Sequence, residues 1–143
     1  MSDRDAPSGA DLATLVEHLF ADTWWRVTCE LPGDLSRTAA STLRCLAEGG
    51  PQRVTALAAR EPVAQPTMSM IVKRLEQRGL VQRAVDPGDA RATLVSVTPA
   101  GLEMLRERAE LRLRWFAARL AELDPEDRRS VATAIEKLAD VLG

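Results

Sequence analysis

Between residues 65 and 78 the apolar side chains Met68, Ile71, Val72 and Leu75 stand at the i, i+3, i+4, i+7 spacing of a helix with one buried face. Gly79 follows as a stop, because glycine accepts the left-handed backbone that ends a helix. The period then changes. Residues 80–85 and 93–97 alternate as strands do, and between them Asp86-Pro87-Gly88-Asp89 spells a tight turn. Proline presets φ there, glycine permits φ > 0, and aspartate bonds its own backbone. Helix, hairpin, helix is the outline of a winged helix-turn-helix, with a recognition helix at about 65–78 and a wing at about 81–97.

The flanks carry helical stripes of their own. Leu12, Leu15, Val16, Leu19, Phe20, Thr23 or Trp24, Val27 and Leu31 predict a long amphipathic helix, capped by Asp11 and ended by Pro32-Gly33. About 20 residues at ~1.5 Å each make it ~30 Å long, more than a small winged-helix core can cover. Ser36 caps a second helix with Ala39, Leu43 and Leu46 inside. Residues 52–54 are expected to add a third strand to the wing sheet. Thr55 is expected to cap a third helix that buries Leu57 and Ala58 and stops at Glu61-Pro62. Pro66 suits the first position of the recognition helix, where a missing N–H costs nothing. Thr98-Pro99 opens a helix through Leu102, Leu105, Ala109, Leu113, Phe116 and Leu120, and Asp124-Pro125 opens another through Val131, Ile135, Leu138 and Leu142.

The expected fold is therefore mainly α with a small β-hairpin wing. It divides into a disordered tail (1–10), a dimerisation helix (11–35), a winged helix-turn-helix module (36–97) and C-terminal dimerisation helices (98–143). The stripes at the two ends outlast what the module can bury. A second copy of the chain satisfies them most simply, in a two-fold homodimer; folding into a bundle within one chain is the alternative.

Three words carry a family resemblance: Leu75-Glu76-Gln77-Arg78-Gly79-Leu80-Val81, Asp86-Pro87-Gly88-Asp89-Ala90-Arg91 and Val97-Thr98-Pro99-Ala100-Gly101. At these spacings the chain resembles the MarR family of bacterial transcriptional regulators, and the flanking helices extend the likeness to nearly its whole length. The resemblance implies a repressor that binds double-stranded DNA as a homodimer. It also implies control by a small aromatic or lipophilic effector held between dimer scaffold and DNA-reading lobe. One departure stands out: many relatives carry Thr-Arg where this chain has Ser69-Met70.

Composition and charge narrow the chemistry. With 143 residues, 45% of them apolar, the chain can hold one domain with a real core, and no apolar run approaches the ~20 residues of a membrane span. The N-terminus lacks the apolar stretch of a secretory signal, so a cytoplasmic location is expected. One histidine and two cysteines, Cys29 and Cys45, have no metal-ligand company and no nucleophile–base spacing; no metal, cofactor or enzyme activity is expected. The net charge of −2 looks wrong for a DNA binder until it is divided. Residues 36–97 carry +4, residues 1–35 carry −5 and residues 98–143 carry −1. A basic centre between acidic ends is the pattern of a phosphate-facing module on a scaffold.

The candidate site follows from this layout. Gln65, Thr67 and Ser69 are expected to reach base edges, glutamine being suited to adenine. Met70 can offer only apolar contact, as to a thymine methyl. Lys73 and Arg74 suit phosphates, and Arg78 is either a third phosphate contact or a cation at the helix C-terminus. The resemblance implies that Arg91 at the wing tip enters the minor groove, reading its width. Asp89 either holds Arg91 by a charge-assisted bond or serves only the turn. His18, Trp24, Trp25 and Trp115 are candidates to line an effector pocket, the tryptophans being otherwise core or interface anchors. Two further readings stay open. One is a winged-helix module that binds another protein. The other is a redox sensor working through Cys29, against which the absence of tyrosine weighs.

Overall fold

The computed structural model describes residues 7–30 and 35–143, with the side chains at 24, 25 and 28–30 outside that description. Its elements are α1 (Gly9–Glu30), α2 (Arg37–Gly49), β1 (Gln52–Arg53), α3 (Val54–Arg60), α4 (Gln65–Gln77), β2 (Val81–Asp86), β3 (Asp89–Val97), α5 (Pro99–Leu120) and α6 (Pro125–Leu142). They form two compact units, one of Pro32–Glu110 and one of Met1–Leu31 with Leu111–Gly143.

The first unit is a winged helix closed on its own core. Leu43 and Leu46 of α2, Leu57 of α3, Met68, Val72 and Leu75 of α4, and Val95 of β3 are essentially inaccessible to solvent. Each such side chain contributes on the order of 1.5–3 kcal/mol of apolar burial. The apolar face expected of the recognition helix is the face that α4 buries, with Ile71 half-buried at its edge. The sheet is antiparallel in the order β1-β3-β2, so the short 52–53 segment is indeed the third strand of the wing sheet. Ser36 caps α2 as expected, its Oγ accepting from the Ala39 N–H at 3.2 Å. Ser41 Oγ of α2 donates to Glu61 Oε1, fastening the end of α3 to α2.

Local signals were misplaced at several points. Helix α3 begins at Val54, with Arg53 at its cap and no side-chain cap bond, so Thr55 is not the cap. Pro66 takes the second position of α4, because Ala64 is the cap residue. Gly88 does not adopt a positive φ; among the described residues only Gly50, Gly79 and Gly143 do. The first unit continues to Glu110, through the first half of α5, where the sequence suggested a boundary at 97.

In the second unit α1 starts at Gly9, so residues 9 and 10 are helical and not tail. Its cap is a reciprocal pair: the Asp11 N–H donates to Ser8 Oγ at 3.2 Å, and the Ser8 N–H donates to Asp11 Oδ2 at 3.0 Å. Ser8 is therefore the cap, and Asp11, the third residue of the helix, completes a capping box with it. The Ser8 hydroxyl also donates to Asp11 and holds its carboxyl below the ordinary aspartate range. The expected stop at Pro32-Gly33 lies outside the described residues. The apolar stripes are largely bare, although Val27 of α1 is buried. Leu19 and Phe20 of α1 are each 65% exposed, Val141 of α6 is 82% exposed, and no residue of α6 is buried. No helix among the described residues is long and apolar enough to cross a membrane.

Candidate nucleic-acid interface

Opposite its buried face, α4 presents a line that a step of 3.6 residues per turn runs through Pro66, Met70, Lys73 and Gln77, all exposed. Thr67 and Arg74 flank it on one side, and half-buried Ser69 on the other, toward exposed Gln65. Met70 is 57% exposed, an apolar side chain at the middle of a polar and cationic face. Gln77 was overlooked in the sequence, although it stands four residues beyond Lys73 and seven beyond Met70. Lys73, Arg74, Arg78 and Arg91 form no ion pair among the described residues, whereas Arg83 is engaged with Glu76 at 3.2 Å.

The C-terminal end of α4 is fastened by the residues that supply two of the three sequence words. Gly79 (φ 71°) donates to the Glu76 carbonyl at 2.8 Å, and Leu80 N–H reaches back to the Leu75 carbonyl at 2.9 Å. This is the paired reversal of a Schellman end, with Leu80 and Leu75 both buried beside it. Arg78 is the C-cap residue, so the reading of it as a helix-terminal cation fits its position. Thr98 then ties the end of α4 to the start of α5. Its hydroxyl donates to the Gly79 carbonyl at 2.6 Å and accepts from the Gly101 N–H at 3.1 Å, while its own N–H donates to the Leu80 carbonyl at 3.1 Å. Gly101 sits so close that an added Cβ would lie 2.2 Å from the Leu80 oxygen. The end of α4 and the start of α5 thus share one hydrogen-bonded junction.

The wing turns through Pro87-Gly88, with Asp86 paired to Asp89 across the strands. Asp86 Oδ1 accepts from the Gly88 N–H at 2.9 Å, the local bond expected of it. Of the two readings of Asp89, the ion pair with Arg91 is not made and the turn role is the one observed. Asp89 Oδ1 instead accepts from the backbone N–H of Arg91 at 3.0 Å, and its other oxygen lies 3.6 Å from Arg53. The register of the hairpin decides this, since it points the second oxygen across the sheet. Arg53 was not singled out in the sequence. From β1 it donates to Asp86 Oδ2 through Nε (3.0 Å) and Nη2 (2.6 Å). The Gly88 N–H, and after it Arg53, hold the Asp86 carboxyl below the ordinary aspartate range.

Of the effector candidates, the structure describes the side chains of His18 and Trp115. His18 is exposed on α1, and the side chains of Trp24 and Trp25 lie outside the described residues. Trp115 packs edge-on against Phe116 (centroids 5.2 Å apart) and under the guanidinium of Arg119 at 3.6 Å. An apolar cavity of about 340 Å³ does lie in this unit, but Leu19, Phe20, Thr23, Val27, Arg112 and Phe116 line it. Cys45 is buried in the core of the first unit, with Gln52 Nε2 3.4 Å from its sulfur; the side chain of Cys29 lies outside the described residues.

Comparison with known proteins agrees with this geometry. Residues 35–93 match the profile of the MarR family. The HTH-type transcriptional regulator MT0903.1 of Mycobacterium tuberculosis is 36% identical over 143 residues, spanning 98% of both chains. Among solved structures, the transcriptional regulator Tm0710 from Thermotoga maritima superposes with a TM-score of 0.75 at 24% identity, covering 90% of this chain and 94% of its own. A mutant of S. aureus MepR bound to an oligodeoxyribonucleotide gives 0.69 at 18% identity, covering 96% and 100%; at such identities the likeness is one of fold. With one relative matched end to end, and the profile match falling on the helix-turn-helix and wing, this chain belongs to the MarR family of transcriptional regulators.

Proposed function

We propose that the chain is a repressor that binds a pseudo-palindromic operator as a homodimer and releases it when a lipophilic effector binds. The observation that carries this reading is the outward line of α4, with Lys73 and Arg74, in the same closed unit as an arginine-tipped hairpin. In this reading α4 enters the major groove, Gln65, Thr67, Met70 and Gln77 meet base edges, and Lys73 and Arg74 meet phosphates. Met70 has no donor, so its complement in the groove is a thymine methyl. Arg91 lies in the adjacent minor groove.

The bare stripes of α1, α6 and the second half of α5 support the homodimer, since apolar surface of that extent is stabilised by burial against a second copy. Two modules so held read half-sites about one helical turn, ~34 Å, apart. The 340 Å³ cavity of the second unit supports an effector with a small apolar body. Such a ligand releases DNA only if it prefers the protomer arrangement that does not fit the duplex.

Fluorescence anisotropy of the full chain against duplexes selected from a random pool tests the reading. Binding should weaken steeply with salt, and Arg91→Ala should lower both the affinity and the magnitude of the log–log salt slope, by about 1. The exposure of Met70 favours one second reading, a module that docks on another protein. An affinity insensitive to salt would select that reading.

A further inference from the structure

The turn of the wing carries two carboxylates, Asp86 and Asp89, one on each side of Pro87-Gly88; they precede Arg91 by five and two residues. Each uses one oxygen to hold the turn backbone and has the other turned toward Arg53. Arg53 comes from the far edge of the sheet, since β3 lies between β1 and β2. Its side chain is 47% exposed, whereas that of Asp86 is 14% exposed. Arg53 and Asp86 are 33 residues apart in the chain, so this is a tertiary contact and not part of the hairpin.

We propose that Arg53 is a positioning residue for DNA binding: it neutralises Asp86 and Asp89 and pins the turn, so that Arg91 is the charge the wing tip offers to the duplex. The inference rests on the DNA-binding reading above. Its physical basis is local electrostatics. A hairpin tip with two uncompensated carboxylates and one guanidinium is net anionic and is repelled by phosphates well inside a Debye length of about 10 Å. With Arg53 drawn in, the tip is neutral and Arg91 remains outward with no ion-pair partner among the described residues.

A double-mutant comparison separates this role from direct contact between Arg53 and a phosphate. The probe is a labelled duplex that the wild-type chain recovers from a random-sequence pool, titrated at fixed low salt. Arg53→Ala should weaken binding by about three- to tenfold, the scale of one exposed ion pair or one phosphate contact. Arg53→Lys should stay close to wild type, because it keeps the charge.

Adding Asp86→Asn to Arg53→Ala should restore binding to within about twofold of wild type. Asparagine still accepts from the Gly88 N–H, but it no longer needs neutralising. A gain from Asp86→Asn that is larger in the Arg53→Ala background than in the wild-type chain is a result that neither a phosphate contact nor simple sheet packing at residue 53 would produce. Thermal melts accompany each variant; if Arg53→Ala folds poorly, Arg53→Gln takes its place in both comparisons. Wild-type binding by Arg53→Ala, or a double variant as weak as the single one, overturns the inference and leaves the DNA-binding reading intact. If the wild-type chain recovers no duplex at all, both fall together.

Discussion

Alanine at residue 101 sets helix propensity against tertiary packing, and the two predict opposite signs. In a helix, alanine for glycine is worth up to about 1 kcal/mol of added stability. At Gly101 the new Cβ would lie 2.2 Å from the Leu80 carbonyl oxygen, 3.2 Å from its carbonyl carbon and 2.7 Å from Val97 Cγ2. Favourable contact with carbon needs about 3.5 Å, so the peptide of Leu80 must recede by more than ~1 Å. That peptide is held: its oxygen accepts from Thr98 N–H at 3.1 Å, and Leu80 N–H is bonded to Leu75 at 2.9 Å. Overpacking of this kind costs about 1–3 kcal/mol, and each hydrogen bond lost adds about 1 kcal/mol. The net expectation is a loss of about 2–3 kcal/mol, or roughly 5–12 °C in Tm for a chain of this size. Thermal and urea denaturation at one fixed protein concentration measure it, since oligomer stability depends on concentration. Gly9→Ala is the control, because a Cβ there meets nothing within 4 Å. A Gly101→Ala chain that melts at or above wild type refutes the argument.

Three other outcomes follow from the same geometry. Thr98→Val removes the hydroxyl that bridges Gly79 and Gly101 and should cost about 1–2 kcal/mol in urea denaturation, with Thr98→Ser recovering most of it. Met70→Arg should tighten binding to generic DNA and steepen its salt dependence by about one phosphate contact; unchanged affinity at fixed salt counts against a place for Met70 in the groove. The depressed carboxyl of Asp86 implies a contribution to wing stability that is present above the ordinary aspartate value, about 3.9, and lost as pH falls through the lower folded value. A carbon-detected NMR titration of Asp86 with a midpoint at or above about 3.9 would contradict the clamp.

How much of the site was legible depends on how far apart its parts lie in the chain. Met70, Lys73 and Arg74 could be read because the buried stripe of α4 defines its opposite face within one helix. Gln77 follows the same period, two residues before the glycine stop, and is legible in the same way. The partner of Asp89 could not be read, since which side chain its carboxylate meets depends on strand register and on an edge strand 36 residues earlier. Arg53 went unnoticed for the same reason: alone it is one arginine in a mixed-charge segment.

Local order in the chain was enough to determine the winged helix-turn-helix, the face that α4 buries, the ends of α2, α4 and α6, and the surplus of apolar surface at both termini. Helical period, capping hydroxyls and a left-handed glycine act over a turn or less, so neighbouring residues specify them. Only the tertiary structure decided that the first unit runs on to Glu110, that Thr98 and Gly101 join α5 to the end of α4, and that Arg53 pairs with Asp86 and Asp89 at the wing turn. Those are close approaches between segments distant in sequence, set by how the sheet and helices pack, and no local pattern of residues encodes them.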